Sequence, residues 1–277
     1  MKLIQNKKGL TEFPNLPTGL TELSLFNNHI VHVPAELWQQ KGLEVLNISM
    51  NKIEVISNKI GGLVNLKMMD LGHNQISSIP SEIGQLTSLN SYLYLHNNKL
   101  TQLPKSIGQL KKLRYLNLSM NQLKTLPESM GNLSQLVELK MEDNRLEYLP
   151  NSFEQLLKLQ ELHLQNNRLT NLPMGLMNHP KLRVLNLENN QLATIPTGIK
   201  ELRTLKLRNN NIRQIPKEII NLQQLRRIDL RGNEIKELPI EFLDLPNLER
   251  LDLRWNAQLV PPDWIVELIR RDCLVYF

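Results

Sequence analysis

The sequence predicts an α/β right-handed solenoid: a horseshoe with one parallel sheet on its concave face and short α or 3-10 helical turns on its convex face. Three observations predict it. One frame of residues recurs eleven times, each copy holds a short alternating apolar run, and each return segment spaces its apolar residues by three and four. The frame is plain in Leu113-Arg-Tyr-Leu116-Asn-Leu118-Ser-Met-Asn121-Gln-Leu123-Lys-Thr-Leu126-Pro127. It returns at Leu136 to Pro150, Leu159 to Pro173 and Leu182 to Pro196.

In the Leu-x-x-Leu-x-Leu portion the alternation is the period-2 signature of a strand with one buried face. Leu116 and Leu118 are expected to point inward, and Tyr115, Asn117 and Ser119 outward. One strand per coil, always running the same way, builds a single parallel sheet with rungs about 4.8 Å apart, so eleven rungs span on the order of 50 Å. Where the chain leaves the strand stands an asparagine: Asn28, Asn51, Asn74, Asn98, Asn121, Asn144, Asn167, Asn190, Asn210, Asn233 and Asn256. Its amide both donates and accepts, so it can pair backbone groups of adjoining coils that would otherwise be buried without partners. These residues are expected to form a structural ladder, with a cost of roughly 1–3 kcal/mol for Asn144→Ala.

The return half, as in Leu126-Pro-Glu-Ser-Met130-Gly-Asn-Leu133-Ser-Gln-Leu136, has helical spacing. Proline pre-sets φ for a first turn, and Gly84, Gly108 and Gly131 limit its extension, so one or two helical turns are expected per coil. A convex side wider than the concave one bends the stack.

On these residues the chain resembles the leucine-rich-repeat superfamily. Within it the chain is similar to the 23-residue Leu-Pro-x-x-Ile-x-x-Leu variety of plant intracellular Ras-group-related proteins, Ras-pathway scaffolds and bacterial repeat proteins. Phe13-Pro-Asn-Leu16-Pro17-Thr-Gly-Leu20-Thr-Glu-Leu23 also resembles the shorter repeat of bacterial effectors. The resemblance implies a binding module, with one alternative: the substrate-recognition part of a larger enzyme, an effector ubiquitin ligase or a GTPase.

One domain is expected over 1–277: a degenerate N-terminal rung at 1–19, eleven repeats over 20–260, and a cap of helix and strand at 261–277. Trp264, Ile265, Leu268 and Ile269 would cover the last core layer, with Cys273 buried beside them. Three irregularities interrupt the frame: Ser57 where most coils have proline, an extra residue around Leu89 to Leu95, and three residues missing between Asn190 and Asn210. Each is expected to perturb curvature locally, as drift in a tolerant surface segment or, at the shortened coil, as a change in the binding face.

Composition narrows the partners. A single cysteine rules out an internal disulfide framework, and the N-terminus lacks the apolar run of a signal peptide, so a cytoplasmic protein is expected. No stretch approaches the length of a membrane span, so no membrane partner is expected. The formal charge of +6 is not gathered in tracts, and acidic rungs adjoining the basic ones argue against nucleic acid.

Function is sought in the outward positions that the core does not dictate. The early rungs present Phe26, Val45, Met50, Met68, His73, Tyr92, Tyr94, His96, Tyr115 and Met120, a set rich in interface anchors. The middle rungs turn acidic with Glu138, Glu142, Asp143, Glu161 and Glu188 around Lys140 and His163. From the shortened coil onward come Lys206, Arg208, Arg227, Arg231, Arg250 and Arg254 with Asp229, Asp252 and Trp255. Residues 201–277 hold 13 basic and 12 acidic side chains, so the basic excess belongs to the face and not to the segment. The expected ligand is a protein or peptide on the concave face. Phe26, Tyr92, Tyr94, His96 and Tyr115 would anchor it, Glu142 and Trp255 would flank it, and the arginines would meet acidic or phosphorylated groups unless they only pair internally.

No catalytic, metal or cofactor residue is assigned. The sequence has no Gly-x-x-x-x-Gly-Lys-Ser/Thr, His-Glu-x-x-His or Gly-x-Ser-x-Gly, and the approach of His73, His96 and Glu142 on an open sheet would enclose no substrate, so no enzyme is expected.

Overall fold

Each Leu-x-x-Leu-x-Leu segment forms a three-residue strand in the computed structural model, which describes all 277 residues. The chain divides into two compact units, Met1–Asn144 and Arg145–Phe277. The first contains β1 (Lys2–Ile4), β2 (Glu22–Ser24), β3 (Val45–Asn47), β4 (Met68–Asp70), β5 (Tyr92–Tyr94), β6 (Tyr115–Asn117) and β7 (Glu138–Lys140). They lie side by side in chain order, every neighbouring pair parallel. The second contains β8 (Glu161–His163), β9 (Val184–Asn186), β10 (Thr204–Lys206), β11 (Arg227–Asp229), β12 (Arg250–Asp252) and β13 (Leu274–Tyr276), again parallel and in chain order.

Between the two end strands, the middle residue of each strand faces the core. Leu23, Leu46, Met69, Leu93 and Leu139 of the first unit and Leu162, Leu185, Leu205 and Leu251 of the second are fully buried. Each such side chain contributes roughly 2 kcal/mol by leaving water. Ser119, expected on the outward face, is buried as well, because its hydroxyl turns back to donate to Asn117 Oδ1 at 2.6 Å.

The asparagine after each strand pairs three groups at once. Asn144 Oδ1 accepts from Leu123 N–H at 3.0 Å, while its Nδ2 donates to the carbonyls of Leu118 at 3.0 Å and Met141 at 3.1 Å. Asn233 makes the same set with Ile212 N–H and the carbonyls of Leu207 and Leu230. The amide thus ties two successive coils at the point where both leave the sheet.

The return segments are 3-10 turns of five residues, most of them opened by proline, such as Lys105–Gln109 after Pro104 and Glu128–Asn132 after Pro127. At the coil that lacks proline, Ser57 replaces it with a side-chain cap, accepting from Lys59 N–H at 3.2 Å. The glycines serve close approach between turns. A Cβ on Gly108 would stand 2.2 Å from the Ser129 carbonyl oxygen of the next coil. Gly108→Ala is therefore expected to lower stability by roughly 1–3 kcal/mol in urea unfolding, since the neighbouring backbone has to move.

The length changes are absorbed away from the sheet face. Between β9 and β10 the three missing residues remove the 3-10 turn altogether, while the strand register stays intact at Val184↔Thr204, Leu185↔Leu205 and Asn186↔Lys206. The extra residue falls just before β5, where the amides of Asn90 and Ser91 both reach the Lys67 carbonyl and strand pairing begins only at Met69↔Leu93.

At the chain ends β1 pairs with β2, and the Asn28 amide caps it by accepting from the N–H groups of Lys8 and Leu10. A short helix α1 (Ile265–Arg270) precedes β13. Ile265, Leu268 and Cys273 are buried, but Ile269 is 52% exposed and Trp264 only half-buried. Of the expected cap, Ile269 therefore does not cover core and Trp264, ahead of the helix, covers it only in part, because a six-residue helix presents a single buried stripe at i and i+3. Burial pushes the Cys273 thiol up to about 11, which leaves it an inert apolar filler.

Immediately before each ladder asparagine the backbone turns through the left-handed region. Asn27, Asn97, Asn166, Asn189 and Asn209 tolerate this, and Gly232 adopts it freely. Met50, Met120 and Trp255, with φ between 54° and 64°, do not belong to the residue types that favour it. Met120 is 48% exposed with φ 54°, so Met120→Asn is expected to raise stability by about 1 kcal/mol, read as a higher denaturation midpoint.

Candidate functional site

The outward side chains of the strands form two distinct patches, one in each unit. In the first, Tyr92 and Tyr94 project from the same face of β5, and their rings stack with centroids 4.5 Å apart. Tyr94 meets His96 edge-on at 6.0 Å, and His96 meets His73 edge-on at 4.8 Å. Tyr115 lies beside Tyr92 in strand register, with the Arg114 guanidinium 5.5 Å from its ring centre. The cluster exists because Gly72, on the preceding coil, has no side chain: a Cβ there would stand 2.3 Å from the His96 ring.

Burial raises the phenol pKa of Tyr92 and of Tyr94 and lowers that of the His96 imidazole, so all three are uncharged near neutral pH. Beside Tyr94 in strand register, Asp70 accepts from Gly72 N–H at 2.9 Å; burial raises its pKa despite that bond and the nearby His96. His73 is held by the Asn97 amide, 2.6 Å from its Nδ1, and His96 Nδ1 is buried without a hydrogen-bond partner. Phe26 is not gathered here; it lies beyond β2, three strands from β5, with Lys7 5.9 Å from its ring centre. Glu142 is half-buried in the same outward column as His96, two coils on, with Oε2 buried and unpartnered.

In the second unit the arginines are largely tied to acids. Asp252, its side chain only 2% exposed, accepts from Arg254 at 2.7 and 2.9 Å and from Arg250 at 3.4 Å. Arg231 holds Asp229 in a two-pronged ion pair and also lies 3.6 Å from Asp252. Arg227 is exposed and 3.8 Å from Glu249. Arg208 differs: it has no carboxylate partner, its Nε is buried without an acceptor, and its guanidinium lies 4.9 Å from the Trp255 ring centre. Arg231 and Arg254 approach the same indole at 5.6 and 5.8 Å. Trp255 itself is 59% exposed and stands in the left-handed region. A strained, exposed indole flanked by three guanidiniums can stack on an aromatic group or receive an anion at its rim.

Two features of this face follow from positions that the outward alternation does not flag. Arg183, Arg203 and Arg226 occupy the first x of Leu-x-x-Leu in successive coils, just ahead of β9, β10 and β11. Asn166, Asn189 and Asn209 form a second, exposed amide ladder, with Asn189 donating to Asn166 at 2.6 Å and Asn209 to Asn189 at 2.7 Å. The Asn-Asn doublets at 166–167, 189–190 and 209–210 are its sequence signal.

Coils with buried leucine rungs, an asparagine ladder and an uncommitted outer sheet face define a class of repeat protein that recognises other molecules by surface rather than by enclosed pocket. Sequence profiles agree: one described as leucine-rich repeat region matches residues 107–201 and 166–270, one for leucine rich repeat matches 18–76, and one for two copies of the repeat matches 64–108. The chain belongs to the leucine-rich-repeat family.

Among solved structures it is similar to the ectodomain of the receptor kinase GASSHO1/SCHENGEN3 from Arabidopsis thaliana, in complex with CASPARIAN STRIP INTEGRITY FACTOR 2. Identity is 30%, TM-score 0.76, over 94% of this chain and 35% of that one. It is similar to FLRT2 in an octameric complex with Latrophilin 3 and Unc5D, at 27% identity and TM-score 0.76, over 95% and 85% of the two chains. The internalin inlF of Listeria monocytogenes shares the fold at 24% identity and TM-score 0.75, over 99% and 86%. A sequence comparison with curated proteins gives no match. No helix of the structure is long and apolar enough to cross a membrane.

Proposed function

We propose that this chain is a protein-interaction scaffold that holds a protein or peptide ligand on the outward face of its strands, the concave side of the solenoid. The observation that carries the proposal is the half-exposed aromatic cluster of Tyr92, Tyr94, His96 and Tyr115, since a merely solvated sheet face has no reason to stack two tyrosines. Two of the similar proteins were solved with protein or peptide partners, which supports the same reading. Arg208 and Trp255 supply a second anchor, suited to an acidic or aromatic side chain, while the paired Arg231, Arg250 and Arg254 keep the face rigid. The single cysteine supports a cytoplasmic setting.

The test is affinity selection with the intact chain, followed by Tyr92→Ala/Tyr115→Ala and Arg208→Ala/Arg231→Ala in a binding titration. Loss of central anchors costs about 2 kcal/mol or more, so the tyrosine double variant should bind the selected partner at least about thirtyfold more weakly. Equal affinity in both double variants would overturn the proposal.

A further inference from the structure

The guanidiniums of Arg183 and Arg203 pose a physical problem. They sit on successive coils, joined by the bond from Arg203 N–H to the Arg183 carbonyl at 2.8 Å, and hence about one strand spacing apart, near 4.8 Å at the backbone. Both are exposed, and neither has a carboxylate partner. The next member of the column, Arg226, is held by Glu249 at 3.0 Å, and that same carboxylate is the one 3.8 Å from Arg227. Two arginines on successive coils thus line one depression with neither held in an ion pair.

They border a depression of about 370 Å³ at the end of the sheet where the strands begin, with Arg226, Arg227 and the Thr204 side chain on its other walls. Thr204 lies on β10, the strand that follows the shortened coil; it is the smallest outward residue among its neighbours Val184, Arg227 and Arg250, and so leaves the space open. Four arginines and two glutamates, Glu161 and Glu249, line the depression.

From this arrangement we infer that the depression is a site for a single phosphoryl group, carried by a phosphorylated serine or threonine of a partner protein. A forked guanidinium meets a tetrahedral dianion with two parallel bonds, and two adjacent forks with a hydroxyl donor match three oxygens better than they match a planar carboxylate. The flanking glutamates select against the alternatives. They leave room for one isolated dianion but repel the continuous charge of a nucleic-acid backbone or an anionic bilayer. This site is separate from the tyrosine cluster and from Arg208 and Trp255, so its failure and that of the scaffold reading are distinguishable.

The probe is N-acetyl-O-phosphothreonine methylamide, titrated into the intact chain at low salt and followed by phosphorus NMR. Saturable binding is expected, weakened about tenfold or more in Arg183→Ala/Arg203→Ala and largely restored in Arg183→Ala, where one fork remains. Arg213→Ala, which removes an exposed arginine paired with Glu234 elsewhere in the unit, should leave binding unchanged. All three variants alter exposed side chains, and unchanged unfolding midpoints verify the fold. Three results would overturn the inference: no saturable binding, equal binding by the double variant, or equal binding of N-acetyl-glutamate methylamide. Stronger retention on phosphatidylserine vesicles than on the phosphothreonine probe would overturn it too, in favour of a membrane surface.

Discussion

Replacing Asn144 by alanine is expected to lower the unfolding free energy by about 3 kcal/mol, measured by urea denaturation. The side chain serves three backbone groups, and its removal strands Leu123 N–H and takes from the Leu118 carbonyl of the adjoining coil one of its two amide donors, leaving it only Asn121 Nδ2, all in surroundings that exclude water. Each buried group left unpaired costs roughly 1–3 kcal/mol, and nothing in an alanine can serve either. Asn144→Asp separates geometry from chemistry. It keeps the acceptor for Leu123 N–H but sets a carboxylate against two carbonyl oxygens, so it should be no better tolerated than alanine. A loss below about 0.5 kcal/mol would show that the ladder is incidental, since surface changes reach only that size.

Asp252→Ala should destabilise the 145–277 unit by a similar amount, about 3 kcal/mol, because it leaves Arg254, Arg250 and Arg231 gathered around a buried position without their shared anion. The pH dependence carries the same information. Burial works to raise the Asp252 pKa, but the hydrogen bond and charge of Arg254, with the charge of Arg231, outweigh it and the carboxyl ionises below its ordinary range. Its folded-state pKa is therefore depressed, so its contribution is present above the unfolded value of 3.8 and is lost as pH falls through the folded pKa. Asp70 in the first unit runs the opposite way. Burial raises its pKa, so its contribution is full below 3.8 and is lost as pH rises through the folded value. Acid titration of stability should flatten in Asp252→Ala below pH 4 if the arginine cluster is organised around this carboxylate.

The fold was legible because its determinants repeat. Leucine and asparagine recur at fixed offsets, and a residue type demanded at eleven equivalent places cannot be there by accident. The return turns were legible only as helical; that they are 3-10 reflects the glycine and small residues that bring neighbouring turns within contact, as at Gly108. The exposure of Ile269 was not legible, since an apolar residue at helical spacing reads as core until the length of the helix is known. In the candidate site the alternation identified which side chains share the open face, but it carries no information about which of them touch. Phe26 shares the face with Tyr92 and lies three strands away, whereas His96 owes its place to a glycine on another coil. Arg183 and Arg203 escaped notice because the position ahead of a strand lies outside the period-2 pattern; reading the first x of each repeat as a column of its own would have exposed them.

Trp255 shows how the two levels meet. Its neighbours at the same point of the coil are asparagine or glycine, which suit the left-handed backbone, and the indole is held there with three guanidiniums beside it. A residue that the local backbone disfavours is a pointer to selection for something other than stability.

Hydrogen–deuterium exchange of the chain with and without a partner obtained by affinity selection tests the central claim, that the outward strand face is the binding surface. Protection is expected at residues 92–96, which take in β5 and the turn after it, at 115–117, and around 206–208 and 254–255, with the 3-10 turns such as 105–109 and 128–132 unchanged. Protection confined to those turns, with the strands unaffected, would contradict it.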